Sequence, residues 1–461
     1  MTSIAPSEIA APIPINSENI AGLKPVTIKI IMIALTIFYL YTFIRLRALA
    51  ASSAISVNTG GEDAGGDIFK QISYIGMFAL FMFIYFYKFG ARLPKSFDFV
   101  QPIILSWIII SSSWAPDPSL SFRRAVLTTI IVVIIGLAVD LINVTRALRS
   151  LYWAVTLGLI FSYIAVFFYP SYGIHPADEI DPTLVGAWRG VFSHKNIAGG
   201  IASIACIIYI HNITTKFNIK DTIFLIIGLL FIYKSHSKSS IGFFAVAIIF
   251  KYSYQILFRY AMGRILLYCL AGYAVIAAIV IFCIYEDNIS RLFRNPQALS
   301  GRVAIWETAW NYAITHPFFG SGYNFFWPQE QNSPSIATRY MTQPFERVIG
   351  HSHNGYLELF VTTGIGGLIM AVFATIVIPL RNFASSYQKG DINEISLLLG
   401  IWIFGVLDNM MEPQLYTRDR QVWCMMATAM FSINILRQRT RSIEVDEIYG
   451  DDARIPAASV S

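Results

Sequence analysis

The 461-residue chain is 55% hydrophobic and only 13% charged, with a mean hydropathy of +0.57, where soluble domains carry about 25% charged residues. That composition excludes a disordered chain, a collagen-like chain and a small disulfide scaffold, and predicts an all-α, polytopic membrane protein. The net charge of +6 then reads as basic loops against an anionic membrane face, not as a nucleic-acid footprint.

Residues 1–26 are polar and Pro-bearing and are predicted to form a disordered tail before an uncleaved first span. A helix needs about 20 apolar residues to cross a bilayer. Twelve segments are predicted to do so: 27–44, 71–88, 101–114, 125–143, 151–170, 196–213, 221–234, 239–258, 264–285, 353–380, 395–411 and 420–436, the third and seventh being short. A membrane region over 27–436 and a second tail over 437–461 follow. An even count puts both tails on one side. With the long loop 286–352 set aside, eighteen Lys and Arg fall on the tail side and eleven on the other, which places the tails inside. Six of the seven histidines (His175, His194, His236, His316, His351 and His353) then lie outside, so polar chemistry is expected on that face. The four cysteines sit in apolar stretches without CxxC or Cys/His spacing, so no zinc or redox motif is predicted.

Five outer segments bear chemistry. Ser111-Ser112-Ser113-Trp114-Ala115-Pro116-Asp117-Pro118 precedes Arg123-Arg124 and also reads simply as a turn. Trp188 to Gly200 brings Arg189, His194, Lys195 and Asn196 to the start of the sixth span, as a site or as snorkelling charges with a polar cap. Lys234 to Ser240, with His236 and Lys238, is polar enough to be costly in lipid unless it lines a wet cavity. In Ser300 to Trp310, Arg302, Trp306 and Trp310 recur every four residues and share a helical face, with Ser300 placed as the cap. That helix either presents Arg302 to an anion, with tryptophans suited to sugar faces, or is an ordinary interfacial helix. Gly350 to Glu358 opens the tenth span. Its His353 heads a face that continues into Gly364 and Gly367, where a neighbouring helix can approach. The helix dipole there favours a neutral imidazole, which is a competent general base. His351 reads as capping or packing.

Cations, one base and stacking aromatics suit a pyrophosphate leaving group and a sugar hydroxyl nucleophile. A transporter or flippase is the rival class, but no charge pair marks the midplane. There is no Walker lysine, HExxH or GxSxG motif, and Asp178, Glu179 and Asp181 make no metal cluster. The chain resembles the O-antigen ligase and bacterial polysaccharide polymerase superfamily. His353-Asn354 is followed by nine residues and then Gly364-Ile365-Gly366-Gly367; Ser300-Gly301-Arg302 with Trp306 and Gly320-Ser321-Gly322 also fit. Gly190-Val191-Phe192 before His194-Lys195-Asn196 resembles the exopolysaccharide polymerase branch.

The resemblance implies a GT-C-like glycosyltransferase of about twelve transmembrane helices in the bacterial inner membrane, with loop 286–352 in the periplasm. It implies polymerisation of undecaprenyl-diphosphate-linked repeat units, or ligation of such a glycan to a lipid A-core acceptor, without metal, cofactor or nucleotide sugar. Other polysaccharide export components are possible partners by this resemblance; nucleic acid is not. His353 would activate the acceptor hydroxyl and Arg302 would hold the donor diphosphate. The second arginine of the family falls at Lys238 here, with Arg189 as a substitute. His194, Lys195, Asn354 and Trp306 complete the expected substrate-binding set.

Overall fold

The computed structural model describes residues 23–43, 68–177, 179, 183–258, 260, 262–263, 301–327, 335–341, 350–386 and 392–450, with side chains to residue 440. In chain order its α-helices of eight or more residues are α1 Pro25–Phe43, α2 Ile68–Phe89, α3 Val100–Ser111, α4 Pro118–Ile142, α5 Val144–Phe168, α6 Lys195–Thr215, α7 Ile219–Lys234, α8 Lys238–Leu257, α9 Arg302–Thr315, α10 Gly355–Val372, α11 Ile378–Ser385, α12 Ile392–Asp408 and α13 Gln421–Gly450. Among the described residues the only β pairing is an isolated antiparallel bridge between Ile174 and Trp188.

Among the described residues seven helical stretches are long and apolar enough to cross a membrane: α1, α2, α4, α5, α6, α8, and α10 running through a π-turn at Phe373–Val377 into α11. The chain is a multi-pass membrane protein. Eleven of the twelve expected segments fall on helices. The ninth, 264–285, lies outside the described residues, as do residues 286–300 of the long loop and most of the first tail. The expected second tail begins as helix, because α13 continues to Gly450.

Local chemistry sets the helix ends. Asp117 is extended, accepts the Leu120 N–H at 3.0 Å and is followed by Pro118, so α4 starts there. Asn143 (φ 69°) ends α4 and caps α5 by accepting the Arg146 N–H at 3.1 Å. Burial covers 78% of the apolar window of α4 and of α6 but only 17% of that of α2, so α4 and α6 are interior and α2 faces lipid. Hydrocarbon tails are as apolar as leucine, so helices associate through close packing rather than hydrophobic exclusion. Accordingly a Cβ at Gly228 would lie 2.6 Å from Cys206 Sγ, and one at Gly405 would lie 2.8 Å from Met426.

Two features position the site. The N-termini of α6, α9 and α10 meet at one end of the bundle, beside the 409–420 connection from α12 to α13. And α10 is kinked at Gly364 (φ 72°), a backbone state open to glycine. A helix does approach the glycine face at Gly367, where a Cβ would lie 3.1 Å from Trp107 Nε1 of α3, but at Gly364 the close neighbour is a turn. Pro317 O accepts the Ile365 N–H at 2.7 Å, and a Cβ at Gly364 would lie 2.1 Å from Phe318 O.

Candidate active site

The segment before α10 is clamped on all sides. Asn354 is extended and caps α10, its Oδ1 accepting the Tyr356 and Leu357 N–H groups at 3.0 Å each. Gly355 donates its N–H to Asn409 O at 2.9 Å. Ser352 donates its N–H to Glu358 at 2.8 Å, and the Trp306 indole donates to Ser352 O at 2.9 Å. Between these anchors His353 takes φ 52°, which an L-residue adopts only when its surroundings hold it. The residue stands one place before the cap, so its ring makes no cap bond and is free to turn towards the 409–420 connection.

There it meets Glu412. This carboxylate is 4% exposed and is the hub of the site. Its Oε1 accepts Arg302 Nη2 at 3.0 Å and Asn196 Nδ2 at 2.8 Å, and its Oε2 lies 3.6 Å from His353 Nδ1, an ion-pair distance longer than a hydrogen bond. Arg302 Nη1 also points at Met411 Sδ, 3.1 Å away. Burial alone would push the Glu412 carboxyl up. The His353 imidazole and the Arg302 guanidinium outweigh it and hold the carboxyl well below its ordinary range.

Histidines crowd around this hub. The His351 ring stacks edge-on to His353 with centroids 4.2 Å apart, and His194 lies edge-on to His175 at 5.6 Å. Burial lowers His351 well below the usual imidazole value, helped by the charges of His353 and Arg420, and lowers His194 to about 4. His194 Nδ1 accepts the Asn196 N–H at 3.2 Å and so caps α6. His175 pairs with Glu179 at 2.9 Å, while His316 stacks on Tyr312 instead.

The expected residues therefore divide. Arg302, His353 and His194 converge, and Asn354 and Trp306 hold the His353 segment rather than facing the hub. Arg302 starts α9 with Gly301 (φ 80°) at the cap position; Ser300, the expected cap, lies outside the described residues. Arg189 bonds the Tyr172 carbonyl at 2.9 Å and Lys195 the Thr183 carbonyl at 2.6 Å. Lys238 is exposed at the start of α8, and no contact ties it to Glu412. In the same turn, buried Ser237 donates to Asn196 Oδ1 at 3.3 Å.

Glu412 is the residue that sequence reasoning missed; Asn196 was noted at the start of the sixth span but was not among the expected site residues. The signal for Glu412 was a carboxylate before Pro413 in the connection after the eleventh expected span, which a search for metal clusters passes over. His351, His353 and Glu412 could each offer one ligand atom within 4.8 Å of the others. A cation there would face the Arg302 guanidinium on the same carboxylate, which disfavours it.

Residues 223–372, about a third of the chain, match the family model described as O-antigen ligase. That segment is similar to the O-antigen ligase family, which supports the superfamily resemblance. The match contains Lys238, Arg302, Trp306, His353 and Asn354, while Arg189, His194, Lys195 and Glu412 lie outside it. It supports membrane glycosyl transfer of the ligase or polymerase type, from a lipid-linked glycan to a glycan acceptor. No curated protein matches the chain.

Proposed function

We propose that the protein polymerises undecaprenyl-diphosphate-linked repeat units into exopolysaccharide at the periplasmic face of the bacterial inner membrane, as a GT-C-like enzyme of twelve spans. The observation that carries the reading is the convergence of Arg302 and His353, both within the matched segment, on the buried carboxylate of Glu412. Three helix N-termini bear on the same point. Each brings the positive end of a helix dipole to it, which favours an anion.

In this mechanism the acceptor hydroxyl oxygen attacks the anomeric carbon of the donor. The carbon–oxygen bond to the diphosphate breaks, and the electron pair leaves with undecaprenyl diphosphate. The hydroxyl proton passes to His353. The Glu412 charge, 3.6 Å from Nδ1, favours a proton on that nitrogen and leaves Nε2 as the acceptor of the hydroxyl proton. Arg302 turns part of its fork from Glu412 to the diphosphate oxygens as charge develops there. Arg420, whose charge reaches His351, is a better second cation than Lys238.

Ligation to a lipid A-core acceptor is the second reading, favoured by the description of the matched family; the HKN segment at His194 favours the polymerase. The test is a deletion strain complemented by the wild-type chain. Loss and rescue of secreted polysaccharide supports the polymerase, and loss of long-chain lipopolysaccharide instead supports the ligase. If both glycans persist in the deletion strain, the proposal falls.

A further inference from the structure

At the far end of the bundle, about 24 Å along α13 from its start at 1.5 Å per residue, lies a cavity of about 350 Å³ between α11, α13 and the turn before α3. Two guanidinium groups, Arg381 and Arg437, line it together with Asn382, Asn434, Phe97 and Phe99. This is the side to which the charge bias assigns the two tails.

The polar part of the wall is fixed in advance. Arg437 Nη1 donates to Asn382 Oδ1 at 2.6 Å, Asn382 donates to Asn434, and Asn434 donates to Ser96 O at 2.8 Å. Asn382 and Asn434 are 3% and 5% exposed. A buried amide chain of this kind is worth keeping when it orients a charge, because a preorganised fork loses little freedom on binding. The one carboxylate in the wall, Asp98, has an oxygen engaged by the Val100 and Gln101 N–H groups at 2.8 and 3.0 Å.

The apolar part runs outward from the cavity. Phe373, Val377 and Leu380, 48%, 42% and 52% exposed, follow an i, i+4, i+7 line on a membrane-crossing stretch that ends beside Arg381. A soluble anion has no use for such a strip; a lipid whose phosphate sits in the mouth lays its acyl chains along it.

We propose that this cavity binds the phosphate of an anionic glycerophospholipid headgroup, with the acyl chains against the Phe373–Leu380 strip. The full chain, purified in a neutral detergent, is titrated with phosphatidylglycerol or phosphatidylcholine and lipid retention is read by native mass spectrometry. Phosphatidylglycerol should be retained preferentially. Arg381→Ala, an exposed change that leaves the amide chain intact, should weaken retention about fivefold, the effect of one surface cation near lipid phosphate. Arg437→Lys should weaken it while preserving thermal stability, because the charge stays but the fork is lost. Equal retention of the two lipids overturns the proposal, as does unchanged retention by Arg381→Ala. Displacement of phosphatidylglycerol by millimolar inorganic phosphate would make the cavity a site for soluble anions, and likewise overturns it. The readout does not involve glycosyl transfer, so its outcome is independent of the catalytic assignment.

Discussion

The segments that begin α6 and α10 use the same residue types, a histidine and an asparagine, in opposite roles. Before α6, His194 is extended and its ring Nδ1 caps the helix, which releases the Asn196 amide to reach Glu412. Before α10, Asn354 caps the helix, which releases the His353 ring to approach the other oxygen of Glu412. The cap satisfies N–H groups that have no partner inside the helix, and the side chain that supplies it is spent. Of two similar segments, the one whose histidine escapes capping is the one equipped for proton transfer. Each substitution below either breaks that division of labour or sharpens it.

The largest effect is expected from His353→Ala. A positioned base contributes about 10²–10⁴-fold, so polymer formation should fall by that order at matched membrane protein level. His351→Ala should be far milder, because that ring stands behind His353 and does not touch Glu412 in this arrangement. Near-normal polymer yield from His353→Ala removes the residue from the mechanism. Equal losses from both histidines would point to folding of the segment.

Arg302→Lys comes next. Charge-assisted hydrogen bonds are worth about 1.5–3 kcal/mol, and lysine keeps the charge without the fork. A loss of about 10–100-fold in transfer rate is expected, with insertion into the membrane unchanged. Full activity in the lysine variant would exclude bidentate holding of the diphosphate.

Glu412→Gln should cost less, on the order of tenfold in kcat, which is about one hydrogen bond's net worth. The amide still fits between Asn196 and Arg302 but no longer fixes the His353 ring as a charge does. With its counter-ion neutralised, Arg302 is more available to the donor, so the donor KM should not rise. A raised KM with unchanged kcat would make Glu412 part of donor binding instead.

Much of the fold was legible because lipid imposes a simple rule: apolar runs of the right length became helices. The site was legible where chemistry and local structure coincide, as at Arg302 at a helix start and His353 beside a cap. What could not be read was pairing across the chain. Glu412 is 59 residues from His353 and 216 from Asn196, and no spacing rule joins them. Lys238 drew notice as a cation after a serine turn, yet the neighbouring Ser237 is the side chain that bonds Asn196. The approach to Gly364 was foreseen from the missing side chain, but the partner proved to be the Pro317–Phe318 backbone, because a glycine stripe does not say what will fill it.

The smallest effect at neutral pH is expected from His194→Asn, and its value lies in the pH dependence. The His194 imidazole is held down at about 4 by burial, against about 6.5 in an unfolded chain. The folded state therefore binds fewer protons than the unfolded state between those values, and stability rises with pH there. The contribution is fully present above pH 6.5 and is lost as pH falls towards 4, because a protonated ring cannot accept the Asn196 N–H and must carry its charge among buried neighbours. Asparagine caps equally well and does not titrate. His194→Asn should leave thermal stability and transfer rate near wild-type at pH 7.5 and flatten the loss of stability between pH 6.5 and 4. Thermal unfolding of both proteins across that range in one detergent is the measurement. Parallel curves would mean that His194 does not govern the acid limb.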